Sequence, residues 1–430
     1  MANAFSKEER VAFEDILEGF NDALVLSRNV TIYNTDQTMM ERTNNVIWRP
    51  MPYISQSFGG SFTLDMTGNF KDYTQLSVPS TIGFNRSVPW IMSAIELRDA
   101  LQENRLGESA KQKLASDINI QIMNVAAAQG TLVVPRGGAA SGYDDLAECD
   151  AIMNEQGVQM FDRYAALSSR DYNNMAGNIA NGLATIGARA FNGDKSNTAY
   201  ERSFVGMVAN FMTYKMDYAN RIAAAAGAGD TINTTLAGGN NYVPVATSVA
   251  ATGEVSNVDN RFQTVTVNDT TGVVAGDCFT IDGVEAVHHI TKQSTGEPKT
   301  FRVTQVVNGT TLVISPPIIS GLDGSDASAQ YQNCEVTPNA AATINYINTG
   351  PSAINPFWQK DALELLPGRF AVPSDSGAAI MRGSTDQGIE LVMQKFYDIN
   401  TMKIKYRLDT LFGVVNKQPE MSGILLFDQP

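Results

Sequence analysis

The residues that could do chemistry are few. His288 and His289 are the only histidines, side by side in a stretch that alternates like a strand. That placement sends the two rings to opposite faces, so they cannot chelate one ion and are expected to pack rather than catalyse. Cys149, Cys278 and Cys334 are odd in number, far apart and in no Cys-x-x-Cys spacing, which predicts reduced thiols. The run Gly137-Gly138-Ala139-Ala140-Ser141-Gly142 could cradle a phosphate, but no Lys-Ser or Lys-Thr follows it and it lacks the strand-loop-helix context. No nucleophile-elbow, zincin, Walker or dinucleotide signature occurs, and nothing sets one Asp or Glu apart from the rest. The expectation is a protein with no catalytic residue, no cofactor and no metal, and hence not an enzyme.

The elements that would have to position such groups are strongly patterned. Leu97, Leu101, Leu114, Ile118, Ile122 and Val125 recur at helical spacing between Ser93 and Gly130, with Ser93 and Glu96 placed as a capping box and Gly130 as the stop. This predicts one helix roughly 50 Å long at about 1.5 Å per residue, with Gly107 as a soft joint. An amphipathic helix over Glu8 to Leu26 precedes it, with Val11, Ile16, Phe20 and Leu24 on one side and Glu14, Asp15 and Glu18 in its acidic turns. Asn45 to Pro50 opens an extended region, and residues 51–85 form a hairpin arm with too little apolar mass to stand alone. Helices follow over Asp144 to Gln156 and Tyr172 to Ala190.

From about Val258 the period becomes two, over Phe262–Asn268, Cys278–Ile281, Val284–Ile290, Phe301–Val307 and Thr311–Ser315. The pairs Gly276-Asp277, Asp282-Gly283 and Asn308-Gly309 separate these runs as turns. Short strands at this spacing predict a small antiparallel barrel, inserted between helix-bearing segments. Val243 to Asn257, ahead of it, reads as an exposed loop or ribbon. Gly388 to Asp409, Gly413 to Val415 and Ile424 to Phe427 are again strand-like, so the class is α+β.

Composition narrows the function. The chain has 430 residues, enough for two to four domains, and a formal charge of −14, whose field repels phosphate backbones. Only 18% of residues are charged, and 35 are glycine, which leaves a neutral surface suited to self-association. No run approaches the about 18 apolar residues of a membrane span, and the N-terminus has no apolar leader, so synthesis in a cytosol without membrane insertion is expected.

Several segments, in this order and spacing, resemble the major coat proteins of tailed bacteriophages of the short-tailed Salmonella phage type. They are Asn45-Val46-Ile47-Trp48-Arg49-Pro50, the helix from Ser109-Ala110-Lys111-Gln112-Lys113-Leu114-Ala115 to Met123-Asn124-Val125-Ala126-Ala127, Val258-Asp259-Asn260-Arg261-Phe262, Val306-Val307-Asn308-Gly309-Thr310, and Asn355-Pro356-Phe357-Trp358. The resemblance covers nearly the whole chain. It implies the Hong Kong (HK-ninety-seven) capsid fold with a long spine helix, an extended E-loop and an inserted barrel. Residues 1–35 would be the N-terminal arm, 36–145 the E-loop and peripheral domain with the spine, 146–224 and 349–388 the axial domain, 225–348 the inserted barrel and 389–430 the closing strands.

It further implies a homo-oligomer of pentamers and hexamers that assembles with a scaffolding protein and a portal protein in the host cytoplasm, expands, and encloses DNA without binding it tightly. Phe13-Glu14-Asp15-Ile16-Leu17-Glu18 matches the family's acidic N-arm turn, which makes Glu14, Asp15 and Glu18 the expected scaffold contacts. The loop with Val243, Val245 and Glu254 is the expected contact between capsomers. Relatives carry paired charges there, whereas this loop has only Glu254. The competing expectation is an intracellular carbohydrate-binding or carbohydrate-active protein with a barrel module. A tail or adhesin component would show repeats, and none is evident.

Overall fold

The structure is a computed structural model that describes residues 5, 7–33, 46–51, 65, 67, 70, 72–93, 100–185, 205–233, 240–322, 324–370 and 377–430, with backbone alone at 8, 100–106 and 178–185. Two compact units result. The first comprises Met1–Ile47, Ser80–Ile122 and Leu363–Val415; the second comprises Trp48–Pro79, Met123–Ala362 and Asn416–Pro430.

In the first unit a six-stranded sheet runs in the order Thr31–Ile32, Leu363–Pro367, Lys403–Asn416, Glu390–Asp398 and Ala379–Ser384, with Phe84–Ser93 also paired to Lys403–Asn416. Ten residue pairs join those last two strands, from Ser93 opposite Lys403 to Phe84 opposite Phe412. Ser93 is therefore the last residue of a strand and not a helix cap. The long helix, α2, begins later and spans Ala100–Gln129, about 45 Å at 1.5 Å per residue. Glu96 lies outside the described residues.

Helix α1, Lys7–Ala23, buries Phe13, Ile16, Phe20 and, just beyond its end, Leu24. Val11 is 59% exposed, because it stands five positions from Ile16 and two from Phe13, which turns it off the stripe that those residues occupy. Gly107 lies within unbroken helix, not at a joint. A Cβ there would meet Ile16 Cδ1 at 2.6 Å, and a Cβ at Gly383 would meet Leu17 Cδ2 at 2.7 Å. Missing side chains thus let α1 approach both α2 and the strand Ala379–Ser384. Lys395 and the Tyr406 hydroxyl, the latter at 3.0 Å, both reach the buried Glu9 carboxylate on the same seat.

The second unit holds a seven-stranded mixed sheet. Ser352–Gln359 pairs antiparallel with Ser422–Leu426 and with Arg163–Ser168. Leu132–Pro135 runs parallel to Ser422–Leu426, and Phe211–Met216 runs parallel to Arg163–Ser168. Helices α3, Tyr143–Glu155, and α4, Ser169–Thr185, cover a core of Leu146, Cys149, Met153, Met175, Phe211, Phe357 and their neighbours. Residues 186–190 of the expected helix lie outside the described residues. Gly130 does end α2, but its reason is contact: a Cβ would stand 3.1 Å from Gly423 backbone.

The barrel is a five-stranded sheet in the order Gln263–Thr266, Thr311–Ser315, Ser294–Asn308, Cys278–Val287 and Ile344–Tyr346. Thr231 and Ile232 bridge its two edges, opposite Thr343 and Val267, and close the ring. Phe279, Phe301, Val303, Leu312 and Ile314 fill it. Asn308-Gly309 turns the expected hairpin, Asn308 opposite Thr311. Asp282-Gly283 does not separate two strands. It is an irregularity within Cys278–Val287, where Gly283 takes φ 74° and the register shifts. His288 and His289 follow that strand in a turn rather than lying in it. The short helix α5 spans Asp326–Tyr331, with the Ser325 side chain capping it through Ser328 N.

Candidate functional site

Two of the expected contact surfaces sit on well-defined elements. Because Phe13, Ile16 and Phe20 commit one face of α1 to its seat, the helical period turns Glu14, Asp15 and Glu18 outward, and all three are exposed, as is Asp22. The four carboxylates form one acidic stripe on the side of α1 away from its core.

The second surface is a two-stranded ribbon, Thr247–Val249 against Val255–Asn257, with Val249 opposite Val255. Asn260 fixes its root: Nδ2 donates to the carbonyls of Val245 at 2.9 Å and Val258 at 3.0 Å, while Oδ1 accepts from Val245 N at 3.1 Å and the Tyr242 hydroxyl at 2.9 Å. Val243, Val245, Val249 and Val255 remain exposed along it, and Glu254 is exposed at the turn. The ribbon thus presents valines among the neutral polar side chains of Thr247, Ser248, Ser256 and Asn257, with a single charge. Residues 52–64, 66, 68, 69 and 71 of the expected arm at 51–85 lie outside the described residues; its base pairs Val46–Pro50 with Ser77–Thr81, extended by Met51 N to the Leu76 carbonyl at 2.9 Å.

The glycine-rich run is occupied by its own chain. Asp145, in the first turn of α3, accepts from Ser141 N at 2.6 Å and Gly142 N at 3.0 Å, and Arg136 Nε binds it at 2.9 Å. A carboxylate thus stands where a phosphate would have to sit. Among the described residues, no three His, Cys, Asp or Glu side chains converge to hold a metal, and no helix is long and apolar enough to cross a membrane. All three cysteines are free and buried.

A set of charges that sequence pattern did not single out seats the barrel on the rest of its unit. Arg302, 3% exposed, reaches the end of α2, where Nη1 binds the Ala127 carbonyl and, at 3.3 Å, that of Gly130. These are orphan acceptors at the negative end of the helix dipole, so the barrel supplies the cap that the helix's own sequence lacks. Thr300 Oγ1 donates to the Thr131 carbonyl at 2.8 Å, and Arg261 Nη1 to that of Asn416 at 2.7 Å. Lys299 Nζ is bound by Glu420 at 2.6 Å and Gln156 at 3.1 Å. The only signal in sequence was odd: Lys299 and Arg302 flank Phe301 in a run whose alternation would turn at least one of them inward.

A closed barrel inserted in a mixed-sheet unit, a long helix and a docked N-terminal helix make up the α+β architecture expected from the sequence. The chain belongs to the P22 coat protein family, gene protein 5, which it matches over residues 1–428. It is therefore a capsid protein of a phage virion, and the carbohydrate reading finds no support. Among solved structures it is similar to the capsid of the cyanophage P-SCSP1u, at 10% identity over 94% of this chain and 87% of that one, with a TM-score of 0.44. It is also similar to Mycobacterium phage Che8, at 9% identity over 94% and 90%, TM-score 0.42. The CUS-3 coat protein I-domain is 38% identical over 28% of this chain and 95% of that one, TM-score 0.22.

Proposed function

We propose that this coat protein assembles as pentamers and hexamers into an icosahedral head around a scaffolding protein and a portal protein, in the host cytoplasm, and that the shell later expands and encloses double-stranded DNA. It works without catalysis or membrane contact. The match to the family over residues 1–428 carries the reading. The segments would take the roles of arm (1–35), E-loop and peripheral domain (36–145), axial domain (146–224 and 349–388), inserted barrel (225–348) and closing strands (389–430).

Glu14, Asp15 and Glu18 contact a basic helix of the scaffold; their common exposure on one face of α1 supports this. Val243, Val245 and Glu254 mark the contact between capsomers. With four exposed valines and neutral polar side chains around one carboxylate, that contact buries apolar surface with little ion pairing and depends only weakly on salt. The charge of −14 lets packaged DNA lie against the shell without sticking. Electron microscopy with sedimentation, on the chain alone and with its scaffold, tests the proposal. Closed shells are expected with the scaffold; a discrete monomer under both conditions would refute it.

A further inference from the structure

The charges at the barrel's seat converge on one carboxylate. Glu420, on the turn Pro419–Met421, accepts Lys299 Nζ at 2.6 Å and Asn333 Nδ2 at 3.1 Å on Oε1, and His289 Nε2 stands 3.6 Å from Oε2. Lys299 is 1% exposed, and His289 Nε2 is buried without a hydrogen-bond partner. Lys292, whose Nζ donates to the Gln332 carbonyl at 3.1 Å, and the Cys334 thiol face the same carboxylate. His288 stands beside His289. Arg261, closed on Asp259 at 2.7 Å, and Glu420 line a cavity of about 40 Å³ with Asn260 and Gln418. Among the described residues, the cations set against Glu420 are Lys299, His289 and Lys292, all of the barrel, while the carboxylate belongs to the C-terminal turn.

We propose that this cluster is an acid-released latch: protons taken up by His289 and then by Glu420 detach the inserted barrel from the C-terminal turn, while the barrel's own core stays folded.

Both groups act in one direction. Burial pushes His289 down to about 4 against the pull of Glu420, so the unfolded seat takes up its proton first and the folded seat weakens as pH falls from 6.5 towards 4. Burial pushes Glu420 up, but Lys299, His289 and the hydrogen bonds from Lys299 and Asn333 prevail and hold it down to about 2. Its contribution is whole above pH 4.5 and is lost as pH falls towards 2. Burial pushes Lys292 down to about 8 against Glu420, so it stays charged throughout the acid range. Acid therefore leaves three cations facing a neutral carboxyl. The cluster that fills the barrel is built of apolar side chains and Cys334, which burial pushes up to about 12 and which stays neutral throughout. The buried carboxylates of Asp230 and Asp277 stand at its margin, bound by the Tyr346 hydroxyl at 2.6 Å and by Asn348 Nδ2 at 3.0 Å, away from Glu420.

Hydrogen–deuterium exchange on the full chain from pH 7 to pH 3, corrected for the intrinsic rate at each pH, reads this directly. Amides at 287–292, 297–302 and 418–423 are expected to lose more than about tenfold in protection, one pKa unit's worth, starting near pH 6. Gln263–Thr266 and Thr311–Ser315 should hold theirs. His289→Gln should delay the onset to below about pH 4.5, where the carboxyl alone remains to titrate. Adding Lys299→Met and Glu420→Leu exchanges the pair for apolar groups of similar volume, and should keep the seat closed and abolish the acid step. Equal loss in the seat and the barrel core overturns the proposal, as does full protection down to pH 3 or an acid step that survives in the triple variant.

Discussion

Helix α1 settles on the first unit through Phe13, Ile16, Phe20 and two glycines that let it come close, whereas the barrel settles on the second through Lys299, Thr300, Arg302, Arg261 and Glu420. The first seat is non-directional: apolar area and fit decide it, and many side chains of similar volume would serve. The second is directional and all-or-none, since each buried charge is tolerable only while its partner stands in place. Cutting an apolar seat should thus lower stability in proportion to the volume removed, while cutting an ionic seat should depend on which partner is left behind.

The largest effect is expected in the apolar seat. Phe20 is fully buried, and Phe20→Ala should cost about 3–5 kcal/mol, enough to free α1 from its unit. Urea unfolding of the purified chain measures it; a loss below about 1 kcal/mol would show that α1 is held mainly by the Glu9 cluster instead. Arg302→Ala comes next, at about 2–3 kcal/mol, since it leaves the Ala127 and Gly130 carbonyls buried at a helix end. Arg302→Lys should recover only part of that, because an ammonium cannot spread over two carbonyls as a guanidinium does. Equal recovery by Lys would mean that charge alone holds the seat.

Gly107→Ala separates two explanations of one residue. As a joint in the spine it would be relieved by alanine, which favours helix by about 1 kcal/mol. As the floor of the α1 seat it should lose about 1 kcal/mol net, because the new Cβ would stand 2.6 Å from Ile16 Cδ1 and overpacking costs about 1–3 kcal/mol. Ile16→Val removes the atom that collides, so in that background Gly107→Ala should become neutral or stabilising. Additive losses in the double variant would dismiss the contact.

The same contrast explains what was legible in advance. Periodicity encodes apolar faces, so α1, most of α2, the hairpin at Asn308-Gly309 and the barrel class could be read from residue order. Errors fell where a residue's reason was tertiary. Ser93 has the makings of a helix cap, yet ten cross-strand pairs claim its strand. Asp282-Gly283 has the makings of a hairpin turn, yet the strand absorbs it as a bulge. Gly107 looked like a local weakness because the neighbour that requires it, Ile16, is distant in sequence. The barrel's seat was the least legible: the alternation around Phe301 turns one of Lys299 and Arg302 inward, but Lys299 and Glu420 are 121 residues apart, and no local pattern names the partner.

The smallest effect on stability is expected at the acidic stripe, and there the contrast turns from folding to assembly. Glu14 and Glu18 stand at i and i+4 with like charge, an arrangement that costs a helix about 0.2–0.5 kcal/mol. Replacing Glu14, Asp15 and Glu18 by Gln, Asn and Gln should therefore leave the chain as stable as before, or a few tenths of a kcal/mol more stable. If the stripe is the scaffold's landing site, the same variant should no longer form shells with the scaffold at physiological salt, although it folds and keeps α1 docked. Sedimentation and a urea melt on one preparation give both readings. Normal shells would show that α1 serves only its own unit, and a lost melt would show that the carboxylates have a structural task that their exposure does not reveal.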